Sequence, residues 1–245
     1  MKHLWKVLMA TAVIIALVVI PTVTFASKAE ATSAKAPTLE KIEFIHWWTG
    51  SIPRPEQARV PKPPSCYKFL TPTKIKWTVL PVNYVVNPTN SQDLSESLIC
   101  NAIFNGAETW DMLTSRELMN NSYSVDYMAA YGVQNYKNAV VFGNYPTSGV
   151  IAVTTIWYNP AIKAIVEFDV MLDTDWTWGD ATVNPEVMDL QNIATHELGH
   201  GIGLNDVYGD ACNKVTMYGY SDYGEIQKRT LETPDITGLQ ALYGN

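Results

Sequence analysis

The sequence predicts an α+β domain, and three observations carry that prediction. Between residues 76 and 172, four runs rich in β-branched and aromatic residues either alternate apolar with polar or stay apolar throughout, as half-buried and fully buried strands do. Ile99, Ile103, Gly106, Trp110 and Leu113 recur at helical spacing and give residues 94–114 one apolar face. In HELGHGIGLND, residues 196–206, two histidines stand four residues apart, so on a helix they project from the same face.

Lys2, His3 and Lys6 precede the apolar run VLMATAVIIALVVI, and Thr24 and Ala26 stand three and one residues before a cleavage point, so residues 1–26 read as an export signal. The chain is then secreted and extracellular. The alternative is a membrane anchor over residues 7–26, close to the roughly 20 apolar residues a spanning helix needs. Pro21 and the small residues after it favour cleavage. Residues 27–65, rich in Ala, Ser, Lys and Pro, cannot bury enough apolar surface for a core and read as an extended linker or propeptide. Only IEFIHWW within them, residues 42–48, is sticky: a short strand packing on the main domain, or a segment that covers a groove. Residues 66–245 are the size of one domain.

Within that domain, KWTVLPVNYVVNP (76–88) predicts a strand ending at Asn87-Pro88, followed by the helix over 94–114. Strands are predicted at AVVFGNY (139–145), GVIAVTTIWY (149–158) and AIVEFDVML (164–172), with Asn159-Pro160 turning between the last two. The next helix starts from Asn184 as N-cap with Pro185 and Glu186 in its first turn. A last helix begins at Thr233-Pro234-Asp235, presents Ile236, Leu239 and Tyr243 on one face, and stops at Gly244.

The formal net charge is −7, and the acidic surplus lies in residues 66–245, where nine Lys and Arg face twenty Asp and Glu. This argues against nucleic acid and anionic membrane as partners, because phosphate binding needs clustered Lys and Arg. In an exported chain Cys66, Cys100 and Cys212 allow one disulfide. Cys100 falls in the helical apolar stretch as a buried small hydrophobe, which makes Cys66 with Cys212 the preferred pair.

His196 and His200 suit a tetrahedral Zn²⁺ that keeps one position for water, and Glu197 stands beside them to accept that water's proton. Gly199, Gly201 and Gly203 are poor helix formers clustered where the chain must leave the helix. Gly203 adopts positive φ cheaply and can turn the backbone so that Asp206 comes round to the metal. Only His46 is left as another imidazole in the exported part; unless it reaches back, the third ligand is oxygen or sulfur, and Asp206 has the right offset.

With VTMYGY downstream, this run resembles the metzincin clan of zinc endopeptidases, and within it the matrixins, whose motif HExxHxxGxxH is followed by a methionine turn beneath the metal. The resemblance covers residues 75–244 and implies a twisted, mostly parallel sheet with an antiparallel edge strand, an active-site helix and a C-terminal helix. It implies one catalytic zinc held by His196, His200 and Asp206, Glu197 as general base, Met217 as the floor of the metal site, and protein or peptide substrates. GVIAVTT is similar to the family's edge strand, so Val150, Ile151, Ala152 and Val153 are expected to bind an extended peptide antiparallel. Tyr218 and Tyr220 are candidates for lining the pocket of the side chain just after the cut bond.

The sequence departs from the family in three places. Asp206 replaces a histidine and lowers the net charge of the metal site by one. Val153 stands where matrixins commonly place a histidine for a second zinc, so that site is expected to be absent. PPSCYKF around Cys66 does not match the cysteine motif by which matrixin propeptides block their zinc. Asp173, Asp175 and Asp180 could hold Ca²⁺, although a solvated acidic loop is the commoner use of such residues. Two rival readings stay open: a binding protein of this fold with a weak or inactive metal site, and a zinc enzyme whose third ligand is Glu225 or Glu232.

Overall fold

The computed structural model describes residues 38–51 and 65–245. The expected export signal and its anchor alternative lie outside them, as does most of the expected linker. No helix among the described residues is long and apolar enough to cross a membrane.

Seven strands form the main sheet: β1 (Glu40–Trp48), β3 (Tyr84–Asn87), β4 (Ser124–Val125), β5 (Asn138–Gly143), β6 (Val150–Asn159), β7 (Ala164–Asp173) and β11 (Tyr220–Ser221). Their order is β11-β1-β6-β7-β5-β3-β4. The pairs β3–β4, β3–β5, β5–β7 and β1–β11 are parallel, whereas β6 runs antiparallel to both β7 and β1. The expected α+β architecture and mostly parallel sheet are therefore present. The strand expected at the edge is not exposed, because β1 lies along its outer side. Two small pairs complete the β-structure: β2 (Lys68–Phe69) with β10 (Leu204–Asn205), and β8 (Trp178–Gly179) with β9 (Met188–Asp189).

The helices α1 (Glu96–Asp111) and α2 (Leu190–Gly201) pack against each other. Ser95 caps α1 by accepting from the Leu98 N–H, and the face carrying Ile99, Ile103, Ala107 and Trp110 is buried. The Trp110 indole also donates to the carbonyl of Thr195 in α2 at 2.8 Å, so truncating it to alanine should cost about 3–5 kcal/mol. The last helix, α3 (Thr233–Tyr243), has a capping box between Glu232 and Asp235.

Two expectations fail locally. Of residues 76–88, only Tyr84–Asn87 joins the sheet as β3, whereas Lys76 and Val82 make lone bridges to Ala164 and Met119. The active-site helix starts at Leu190, six residues beyond Asn184, because Met188 pairs with Trp178 and Asp189 is the N-cap, accepting from the Asn192 N–H at 2.8 Å. Asn184 instead closes a local turn by accepting from Glu186 N–H. A disulfide joins Cys66 to Cys212, and Cys100 is a buried free thiol on α1.

Candidate metal centre and substrate groove

Helix α2 is buried from Asn192 to Gly201 and delivers His196, Glu197 and His200 to one place. Its C-terminal carbonyls need partners that the helix cannot supply. The Trp77 indole donates to Gly201 O at 2.7 Å, Tyr243 hydroxyl to Ile202 O at 2.7 Å, and Gly203 N–H to His200 O at 2.9 Å. Gly203 then takes a φ of 118°, and a Cβ there would meet the Ile75 carbonyl at 3.0 Å. The reversal brings Asp206 back beneath the two imidazoles.

His196, His200 and Asp206 form a fully buried group whose candidate ligand atoms all lie within 4.8 Å of one another. Their outer atoms are fixed: His196 Nδ1 bonds Thr216 O at 2.7 Å, His200 Nδ1 bonds Leu204 O at 2.9 Å, and Tyr208 hydroxyl donates to Asp206 Oδ2 at 2.9 Å. Those carbonyl contacts fix the tautomers so that both Nε2 lone pairs point inward. The inner atoms, His196 Nε2, His200 Nε2 and Asp206 Oδ1, are buried with no hydrogen-bond partner. Both Nε2 atoms face Asp206 Oδ1, at 3.2 Å from His196 and 3.5 Å from His200, and two imidazoles and a carboxylate converging in this way are a donor set that fits a zinc ion.

Burial opposes ionisation of Asp206, yet His200 and His196 hold its carboxyl well below the usual range. Against its own burial, the His200 imidazole is raised by the same carboxylate. Burial pushes Glu197 up; Thr154 on β6 donates to its Oε2, and its Oε1 has no hydrogen-bond partner.

Met217 lies fully buried under α2, where a Cβ on Gly199 would come within 2.3 Å of its sulfur. Asp235 supports that turn from below, accepting from Thr216 N–H at 2.8 Å and Met217 N–H at 3.2 Å. Tyr220 is on β11 and buried, and Tyr218 is half-buried with its ring 5.6 Å from that of Tyr220. Val150, Ile151, Ala152 and Val153 are consecutive, buried positions of β6.

The groove beside β6 holds this chain's own β1. It pairs antiparallel in the register Ile45↔Val153, Phe44↔Thr154 and Glu43↔Thr155, while Trp47 pairs with Tyr220 and Trp48 with Ser221 in parallel on the other side. Phe44 stacks on His200 with ring centroids 4.3 Å apart, and His46 meets His196 edge-on at 4.0 Å. His46 Nδ1 comes 3.3 Å from Glu197 Oε1. So His46 does reach back, but toward Glu197 and His196, forming a second candidate group distinct from the Asp206 triad. Burial, above all, lowers its affinity for a proton.

Neither candidate group among the described residues includes Asp173, Asp175, Asp180, Glu225 or Glu232. Asp180 pairs with Arg229 at 2.7 Å, Glu225 pairs with Lys228, and Glu232 caps α3. Local patterns gave no sign of Tyr208, Asp235 or Lys228 as site residues, and none that Thr154, within the expected substrate strand, bonds Glu197 or that Phe44 stacks on His200. The isolated apolar run at 42–48 and the single histidine within it were the available signals for β1.

A profile of the matrixin family matches residues 76–244. The chain is 28% identical to stromelysin-1 of Mus musculus over 71% of this chain and 34% of that protein. It is 27% identical to hatching enzyme of Paracentrotus lividus over 74% of this chain and 28% of the relative. Identity to matrix metalloproteinase-C of Caenorhabditis elegans is also 27%, over 70% of this chain and 29% of the relative. The chain thus spans only 28–34% of the length of these relatives.

Proposed function

Because the chain belongs to the matrixin family, we propose that it is a secreted zinc endopeptidase, made as a latent precursor whose own β1 fills the substrate groove. One observation carries the reading: three inward, partnerless ligand atoms converge beside a buried glutamate at the foot of a strand already engaged by an extended peptide.

His196, His200 and Asp206 would hold the zinc, which when bound supplies Lewis acidity toward a peptide carbonyl and toward water. Glu197 acts as general base, and Thr154 orients it through Oε2 so that Oε1 faces the reacting water. Having taken that proton, the same carboxyl passes it to the departing amine. A substrate lies antiparallel on residues 150–155 by backbone pairing, as β1 does, so the strand itself imposes little sequence preference. Asp206 leaves the metal site one charge more negative than a third imidazole would.

Secretion is supported by the export-signal pattern of residues 1–26 and by the disulfide. The presence of Glu197 beside three residues able to ligate a metal, His196, His200 and Asp206, speaks against the inactive binding-protein reading. The test is caseinolysis by the processed chain before and after treatment with a zinc chelator. Activity lost on chelation and restored by zinc supports the proposal, and activity indifferent to chelation refutes it.

A further inference from the structure

Lys228 is a fully buried ammonium that the catalytic reading leaves without a task. A buried charge is tolerated only when its hydrogen bonds are met. Its three donors are all used, on Tyr220 O at 2.9 Å, Ser221 Oγ at 2.8 Å and the Glu225 carboxylate. Glu225 Oε1 also accepts from Asn192 Nδ2 at 3.2 Å, and Asn192 Oδ1 accepts from Lys228 N–H at 2.7 Å. Asn192 stands on α2 one turn before His196, and Arg229, next to Lys228, holds the helix N-cap Asp189 through Nε at 2.7 Å. The ammonium is thereby anchored to the helix that carries both histidine ligands, and it reaches from there to β11.

What it grips is the back of that strand. β1 donates to β11 from Trp47 N–H to Gly219 O at 3.2 Å and from Thr49 N–H to Ser221 O at 3.0 Å. Carbonyls alternate in direction along a strand, so Tyr220 O, between those two, faces away from β1. That is the carbonyl Lys228 takes. β11 is two residues long and ends the sheet. So short a strand has no ladder of its own to keep its carbonyls in line, and the charged donor behind it takes the place of the missing neighbour.

Resting on the endopeptidase reading, we propose that Lys228 is a positioning residue for the substrate. It fixes β11 from behind, so that Gly219 O and Ser221 O meet the N–H groups of an extended peptide as they meet those of Trp47 and Thr49. None of its three side-chain bonds goes to Glu197 or to a metal ligand. Its loss therefore weakens peptide binding and spares the chemical step: KM rises about tenfold or more, and kcat stays within about twofold.

The test variant is Lys228→Met combined with Glu225→Gln, which removes both charges together and leaves no buried ion unpaired. In the intact chain, amide hydrogen exchange reads the strand directly. Trp47 and Thr49 N–H should exchange about tenfold faster or more than in the native chain. Trp48 N–H, which donates to Gly149 O at 2.9 Å on the opposite side of β1, should keep its native rate. Unchanged exchange at Trp47 and Thr49, or a rise shared equally by Trp48, overturns the proposal. In the processed chain, hydrolysis of a test peptide should show the raised KM with kcat kept; an unchanged KM, or a loss confined to kcat, overturns it as well. Should the double variant fail to fold, Lys228→Gln, a neutral donor on a shorter stem, is read by the same criteria. A native processed chain that hydrolyses no peptide defeats the endopeptidase reading and with it the substrate role, whereas the exchange pattern fails only if Lys228 does not hold β11.

Discussion

His46 Nδ1 lies 3.3 Å from Oε1 of Glu197, and both side chains are fully buried. The carboxyl oxygen that would receive a proton from water therefore faces the chain's own imidazole, on a strand tethered to the domain it obstructs. A tethered strand competes at high effective concentration, so the intact chain should hydrolyse a test peptide at least about tenfold more slowly than a processed form lacking β1. N-terminal sequencing of active material should find a start beyond Trp48. Equal activity of intact and processed chains would remove latency from the account.

Asp235 is buried and accepts from the backbone of Thr216, Met217 and Glu232. It thus ties the methionine turn to the start of α3. Asp235→Ala strands these N–H groups without water and should cost about 1–3 kcal/mol per unsatisfied group, measured by denaturant unfolding. Because Thr216 O fixes the His196 ring, the same variant should also release zinc faster. An unchanged midpoint and release rate would show that the turn holds itself.

The Cys66–Cys212 disulfide links residues 146 apart in sequence; Cys66 precedes β2, which pairs with β10, the strand that follows the Gly203 reversal. Replacing both cysteines by alanine should cost about 2–5 kcal/mol, chiefly by freeing the unfolded chain. Thermal unfolding with and without reductant checks this.

Asp169 on β7 is buried, and desolvation pushes its carboxyl up to about 7, opposed by the Gly132 N–H and assisted by Glu167. Its folded value exceeds the unfolded 3.8. Protonated Asp169 therefore contributes stability that is full below the unfolded value and is lost as pH rises through about 7. Asp169→Asn keeps an acceptor for Gly132 and cannot ionise. It should melt roughly 3 °C or more above the native chain at pH 8, with the gap closing by pH 4. A gap independent of pH would contradict this.

Local chemistry made much of the fold legible. The apolar face of α1, the three long strands and the Gly203 reversal follow from periodicity and from backbone freedom at one residue. The start of α2 did not, because Asn184-Pro185-Glu186 has the chemistry of a cap while Met188 is claimed by Trp178 and Asp189 by Arg229, which are tertiary contacts. In the site, the His196, Glu197, His200 and Asp206 pattern was visible because its spacing is local. His46 could be named only as an imidazole free to reach back; its partners were hidden, since Ser221 is 175 residues away and no window of sequence contains the pairing of β1. Lys228 was equally hidden: a lysine is ordinarily solvated, and only the converging Tyr220, Ser221 and Glu225 explain its burial.

Zinc stoichiometry after dialysis, measured together with peptide hydrolysis for the processed chain and its Glu197→Gln and Asp206→Ala variants, tests the central claim most directly. The account predicts one zinc per chain retained without hydrolysis in Glu197→Gln, and zinc lost in Asp206→Ala. Undiminished hydrolysis by Glu197→Gln, or zinc held as firmly without the Asp206 carboxylate as with it, would contradict it.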